Sequence, residues 1–166
     1  MGNTFRLAEM NDFPDVIRIF KQAVALMCSQ GIFQWDELYP SEKQLLEDIK
    51  NWHMYLLTKG GNIISAVVIN EEQPEEYEKA GWEYKSGRTA VLHRLCVDPA
   101  YQNMGYGSMT VKNAEHILKE MGYTAVRLDA FSQNPFALKL YASLGYKRAG
   151  EVTFRKGTFF LYEKPL

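Results

Sequence analysis

A chain of 166 residues with 46% hydrophobic and 23% charged side chains has the make-up of an ordinary soluble globular protein. At this length folding buries roughly 68 to 70% of the accessible surface, enough for one core without metals or disulfides, so a single domain over residues 1–166 is expected. With 19 basic and 20 acidic residues the net charge is -1, which removes the positive excess that a phosphate backbone attracts and argues against nucleic acid as a partner.

Phe5 to Ala8 opens as a short strand. Asp12 offers an N-cap, with Pro14 and Asp15 in the first turn, for a helix whose apolar residues Phe13, Val16, Ile17, Phe20, Val24 and Met27 recur at three- and four-residue steps up to Gly31. Ile32 to Pro40 is rich in aromatics but has neither period, and Ser41 with Gln44 forms a capping box for a second helix ending near Asn51. Met54 to Thr58 and Asn62 to Ile69 are β-rich runs joined by Lys59-Gly60-Gly61, which reads as a hairpin. Asn70 to Arg88 is polar and carries five glutamates between Glu71 and Glu78, so a solvated, mobile insertion is expected there.

Thr89 to Val97 is a strand that leads through a loop at Tyr101 to Ser108 into a helix, with Val111, Ala114, Leu118 and Met121 on one face and Gly122 as its stop. Ala125 to Ala130 is the next strand. Asn134-Pro135 then supplies a cap and a first residue without an N–H for a fourth helix ending at Gly145, and Tyr146 to Phe154 with Thr158 to Lys164 closes the chain as a hairpin. The order is β α α β β β α β α β β, with no repeat of 20 to 50 residues.

The longest apolar stretch in the first thirty residues, Ala23 to Cys28, is too short for a signal core or a membrane span, so a cytoplasmic protein without a membrane partner is expected. Cys28 and Cys96 lie far apart and belong to no cluster with metal-ligand spacing, so no metal is expected and a reducing compartment fits.

The segment Gln102-Asn103-Met104-Gly105-Tyr106-Gly107 stands between a strand and a helix. Glycines there allow a tight turn and close approach, and the N–H groups and dipole of a helix start favour a phosphate or pyrophosphate. A bare tight turn explains a lone G-x-G equally well. A P-loop is excluded because no lysine follows until Lys112. A dinucleotide-binding pattern lacks its third glycine, Thr110 standing in that slot, although Asp129 sits where a ribose-binding acid would, so a small nucleotide-binding module stays open.

The pattern Q-x-x-G-x-G, followed after a further strand by Asn134-Pro135-x-Ala137-x-x-Leu140-Tyr141-x-x-Leu144-Gly145-Tyr146, closely resembles the GNAT superfamily of acetyl-CoA-dependent N-acetyltransferases. The resemblance implies an α/β (α+β) fold: a mixed, mostly antiparallel sheet of about seven strands with four helices and a central parallel pair that splays apart. Backbone groups left open by the splay would be met by the pantetheine amides of acetyl-CoA, as an added strand would meet them.

Carried over, the resemblance gives Leu95, Cys96 and Val97 main-chain bonds to pantetheine, and gives the pyrophosphate to the amides of Gln102, Asn103, Met104, Gly105, Tyr106, Gly107 and Ser108. Asn134 would position the pantetheine arm and Tyr141 would stand beside the thioester sulfur. The family often has a basic residue just before the first glycine, where this chain has Met104. Asn134 is also simply a good cap, and Tyr141 shares a face with Ala137, Leu138 and Leu144, as a core tyrosine would.

The activity implied is direct transfer of an acetyl group to a primary amine, without an acyl-enzyme. A lysine-like amine is almost wholly protonated at neutral pH, so a base or a water chain must take its proton. His93 is the side-chain candidate, on the strand leading to the glycine loop and in the parity of Leu95 and Val97. Cys96 should point the other way and be structural. Tyr141 is the candidate proton donor to the leaving thiolate. By analogy with the family the acceptor, a small-molecule or peptide amine, enters near Gln34 to Tyr39 and Arg155 to Thr158, with Trp35 and Tyr39 lining it, although a hydrophobic plug explains those aromatics too. A CoA-binding sensor without turnover is the alternative class. The assembly expected is a monomer or homodimer.

Overall fold

The computed structural model describes residues 2–166. The strands are β1 (Asn3–Leu7), β2 (Met54–Lys59), β3 (Asn62–Asn70), β4 (Thr89–Val97), β5 (Ala125–Phe131), β6 (Lys147–Phe154) and β7 (Gly157–Pro165). The helices are α1 (Phe13–Ser29), α2 (Glu42–Lys50), α3 (Tyr106–Glu120) and α4 (Pro135–Ser143). The seven strands form one sheet in the order β1-β2-β3-β4-β5-β7-β6. β4 and β5 pair in parallel, whereas β1 with β2, β2 with β3, β5 with β7 and β6 with β7 pair antiparallel. The expected mixed sheet with four helices is what the chain forms. This topology removes the dinucleotide-binding alternative, which needs a predominantly parallel sheet wound on both sides.

The chain divides into two compact units, Met1–Ile69 with Arg94–Asn113, and Asn70–His93 with Ala114–Leu166. In the first, α1 buries Val16, Ile19, Phe20 and Ala23 against Leu45 and Ile49 of α2 and Met54, Leu56, Ala66 and Val68 of the β2–β3 hairpin; of the stripe read from the sequence Val16 and Phe20 lie in this buried set, while Phe13, Ile17, Val24 and Met27 flank it partly buried. Ser41 caps α2 as expected, accepting from the Gln44 N–H at 3.1 Å, but the Gln44 side chain turns forward to Asp48. Asp12 is not the side-chain cap of α1. Its carboxylate accepts from the Glu9 N–H at 2.7 Å and from Arg6 at 2.8 and 3.0 Å, holding a 3-10 turn (Met10–Asp12) that precedes the helix.

In the second unit, β7 lies between β5 and β6. Segment 70–88 is not a solvated insertion: it contains a 3-10 turn (Glu75–Lys79), and Tyr77 and Trp82 are buried with Val91 and Leu161. Burying a large apolar side chain contributes about 1.5 to 3 kcal/mol, and polar bonds fix the segment further. The Trp82 indole N–H donates to the Tyr77 carbonyl at 2.7 Å, and the Glu163 carboxylate accepts from the N–H groups of Glu83 and Tyr84 at 2.8 and 3.0 Å. The glutamates occupy the outer side of this segment, and its aromatics do the packing. Gly122 and Gly145 follow α3 and α4 in left-handed conformation, φ 90° and 88°, as helix stops do. Met121 is exposed and does not continue the apolar face of α3.

Among the described residues no helix is long and apolar enough to cross a membrane.

Candidate active site

In the first unit β4 ends at Val97, and its exit is rigid. The Asp98 N–H donates to the Ile64 carbonyl at 2.8 Å, the Asp98 carboxylate caps the 3-10 turn Pro99–Tyr101 through the Ala100 N–H at 2.9 Å, and the Gln102 side-chain amide donates to the Val97 carbonyl at 3.2 Å. Gln102 thus shapes the loop with its side chain. Asn103 and Gly105 are both left-handed, φ 62° and 82°, on either side of an exposed Met104. A Cβ on Gly105 would meet nothing within 4 Å, so glycine is needed there for the backbone turn, and the space beside it is open.

Tyr106 begins α3, and the Met109 N–H donates to the Gly105 carbonyl at 3.1 Å. The N–H groups of Tyr106, Gly107 and Ser108 are those a helix start leaves without an intrahelical partner. The helix is anchored by a hydrogen bond between the buried Ser65 and Thr110 hydroxyls at 2.5 Å. An open turn leading into the N–H groups of a helix start fits an anionic diphosphate. Lys59 Nζ lies 3.5 Å from the Tyr106 hydroxyl.

Cys96 is buried, its thiol directed to the Ile19 carbonyl at 4.0 Å, and burial pushes its pKa up, with Asp98 adding to the rise. The thiol thus lies in the first unit's core. Leu95 and Val97 are half-buried. Arg94 interrupts β4 with a left-handed backbone, φ 50°, so the parity counted from His93 to Leu95 and Val97 does not carry across it.

Sequence reasoning missed Arg94 altogether. Its guanidinium donates to Asp48 at 2.8 and 2.7 Å and to the Tyr39 hydroxyl at 2.8 Å. Burial works against its charge, but Tyr39 and Asp48 outweigh that and raise its pKa. Tyr39 is therefore held by its hydroxyl while the residue stays 41% exposed. Trp35 differs: it is buried in the first unit's core with its ring 5.5 Å from that of Phe20. The hydrophobic plug describes Trp35, and the exposed aromatic is Tyr39.

In the second unit, His93 is half-buried on β4, its Nε2 2.7 Å from the Asn70 side-chain oxygen. The parallel ladder of β4 and β5 comprises Thr89 with Ala125, Ala90 with Val126 and Val91 with Arg127. Asn134 caps α4, accepting from the Ala137 N–H at 3.1 Å, and is buried. Tyr141 is buried between the rings of Tyr146 and Tyr162, at 5.6 and 6.2 Å. Its hydroxyl makes no hydrogen bond among the described residues. Burial pushes its pKa up and Asp129 adds to the rise, so the phenol keeps its proton at neutral pH and can serve as a donor. Among the described residues no group of three or more His, Cys, Asp or Glu is placed to hold a metal ion.

The chain matches the acetyltransferase (GNAT) family over residues 22–146, and belongs to it. It is 37% identical over 65 residues to a candidate acetyltransferase of Bacillus subtilis (strain 168), a match spanning 39% of this chain and only 42% of that protein. It is 26% identical over 151 residues to the ribosomal protein bS18-alanine N-acetyltransferase of Escherichia coli (strain K12), spanning 89% and 82% of the two chains. Among solved structures it is similar to a GNAT-family acetyltransferase from Streptococcus agalactiae 2603, with TM-score 0.87, 19% identity and 100% and 96% coverage. It is also similar to the PaiA N-acetyltransferase of Thermoplasma acidophilum solved with coenzyme A, with TM-score 0.73, 19% identity and 100% coverage of both chains.

Proposed function

We propose that this protein is an N-acetyltransferase that moves an acetyl group from acetyl-CoA directly to a primary amine, on a small molecule or a peptide. The observation that carries the proposal is the loop from Gln102 to Ser108, where two left-handed residues lead the chain into the start of α3, whose first N–H groups have no intrahelical partner. Family membership gives that cradle its occupant, the pyrophosphate of the coenzyme.

When bound, acetyl-CoA supplies an activated acetyl group and a thiolate leaving group. The main-chain amides of Asn103 to Ser108 bind the diphosphate, with the positive end of α3 behind them. The main chain of Leu95, Cys96 and Val97 orients the pantetheine arm, and Asn134 assists. Tyr141 holds a proton on its hydroxyl for the leaving sulfur. His93 takes the proton of the incoming amine, its ring fixed through Asn70. Tyr39, steadied by Arg94, faces the acceptor.

The test is calorimetric titration with acetyl-CoA, CoA, NAD and ATP, followed by assay of thiol release from acetyl-CoA over a panel of amines. Selective binding of the first two ligands with amine-dependent thiol release is expected. Binding without release on any amine would leave a coenzyme sensor, and preference for NAD or ATP would overturn the assignment.

A further inference from the structure

In the second unit a carboxylate stands beside the apolar face of α3. Glu115 follows the buried Ala114 and precedes the buried Leu118 by three residues, and its side chain is only 13% exposed. A charge so placed needs partners. Lys164 of β7 donates to Glu115 Oε1 at 2.8 Å, and the Tyr146 hydroxyl donates to Glu115 Oε2 at 2.7 Å. Lys164 Nζ also lies 5.5 Å from the centre of the Tyr146 ring, so this phenol is held at its oxygen and at its face. Burial first of all, and then Glu115, pushes the Tyr146 pKa up, so Tyr146 remains the donor at neutral pH.

Tyr146 is tied in turn to Tyr141. Its N–H donates to the Tyr141 carbonyl at 3.0 Å, and the Gly145 N–H donates to the Ala142 carbonyl at 3.2 Å, the paired closure of a helix that ends in a left-handed glycine. The two rings then meet edge to face, 5.6 Å apart at 70°, an arrangement that aromatic pairs prefer. The Tyr162 ring stands 6.2 Å from that of Tyr141, and Tyr162 shares a face of the sheet with Lys164, two residues along β7.

The Tyr141 hydroxyl has no hydrogen-bond partner among the described residues, so contacts of its ring set where its oxygen lies. Of the two rings against it, that of Tyr146 is the one fastened to a carboxylate.

We propose that Glu115 is a positioning residue for Tyr141: paired with Lys164, it fastens the Tyr146 phenol, and the Tyr146 ring fixes the direction in which the Tyr141 hydroxyl points. The inference rests on the N-acetyltransferase reading for the part Tyr141 takes in a reaction, whereas the ordering of its ring does not. Glu115 and Tyr146 act through Tyr141 and not on the substrates. A displacement of about 1 Å in a reacting group can cost about 100-fold in rate, so a partial loosening of this ring should cost about tenfold.

The test is NMR of the full chain with isotope-labelled tyrosine rings, the Tyr141 signals being those lost in Tyr141→Phe. Glu115→Ala and Tyr146→Phe should shift the Tyr141 ring signals and speed its ring flips by about tenfold or more. Glu115→Gln, which still accepts from the Tyr146 hydroxyl, should stay near the parent. In all three variants acetyl-CoA affinity should stay within about twofold of the parent. In turnover Glu115→Ala and Tyr146→Phe should lower kcat about tenfold while the KM for the amine changes little. Added to Tyr141→Phe, Glu115→Ala should lower kcat no further.

Unchanged Tyr141 ring signals and flips in a folded Glu115→Ala overturn the proposal. So does a fall in kcat that Glu115→Ala repeats in full on the Tyr141→Phe background, since a general structural loss would act in that way. Should Glu115→Ala not fold, unchanged Tyr141 rings in Tyr146→Phe are decisive against it. If the parent transfers acetyl to no amine, yet its Tyr141 ring loosens in Glu115→Ala and not in Glu115→Gln, the positioning stands and the transferase reading falls.

Discussion

Asp48 on α2 grips Arg94 on β4 through two hydrogen bonds, at the one residue of that strand whose backbone is left-handed, and the two side chains are only 3% and 8% exposed. A non-glycine residue in that conformation costs about 1 to 3 kcal/mol and persists only where its surroundings hold it. Asp48→Ala leaves a buried guanidinium without its counter-charge, and should destabilise the protein by about 3 to 5 kcal/mol. Replacing both partners, Asp48→Leu with Arg94→Met, removes the charge together with its partner and should cost much less. Urea denaturation of the two variants checks this: a single mutant no weaker than the double would show that the pair carries no such burden.

Tyr141→Phe removes a hydroxyl and leaves the ring packed between Tyr146 and Tyr162. If that hydroxyl protonates the leaving sulfur, kcat should fall by about two orders of magnitude or more, with little change in acetyl-CoA affinity. Because burial raises its pKa, the phenol stays protonated well into the alkaline range, so its own titration should not reduce kcat between pH 7 and 9. Equal turnover in parent and variant at saturating substrates would take Tyr141 out of the chemistry.

The elements and the glycine loop were legible in the sequence because their signals are local. Ser41 and Asn134 are caps, the stripe of α1 has helical spacing, and Asn103 to Gly105 stand between a strand and a helix whose first turn holds Gly107. What escaped was set by contacts distant in sequence. Asp48 and Arg94 are 46 residues apart and carry no mutual pattern. Tyr77 and Trp82 sit among glutamates, so a composition average hides two side chains that pack on the sheet. Asp12 shows the same limit on a small scale: a good cap residue is taken instead by Arg6, which the pairing of β1 with β2 holds within reach.

That Arg6–Asp12 pair gives a pH dependence. Hydrogen bonding from Arg6 first of all holds the Asp12 carboxyl below its usual pKa, against an opposing effect of burial. A carboxylate with a depressed folded pKa contributes stability that is full above its unfolded pKa, near 3.9, and is lost as pH falls through the folded value. Arg6 is 37% exposed, so solvent screening keeps the contribution near about 1 kcal/mol or less. Asp12→Asn should therefore be less stable than the parent at pH 6 and should converge with it toward pH 2. Thermal melts across that range measure the gap, and a constant difference at every pH would assign the effect to shape rather than charge.

Gly107→Asp places two consequences of opposite sign on one atom group. Gly107 lies in the first turn of α3, where a carboxylate is favoured by the helix dipole by about 0.3 to 1 kcal/mol and where glycine is the weaker helix former. The helix should be no less stable for the change. The same negative charge stands where the diphosphate is to be held, and repulsion together with lost N–H access should reduce acetyl-CoA affinity by at least about tenfold, about 1.4 kcal/mol. Gly107→Ala separates the causes, since it adds a methyl without charge. Melting temperature and calorimetric affinity should thus move independently: Tm held or raised in the Asp variant, binding lost there, and binding largely kept in the Ala variant. An Asp variant that melts normally and binds acetyl-CoA with parental affinity would place the phosphates elsewhere.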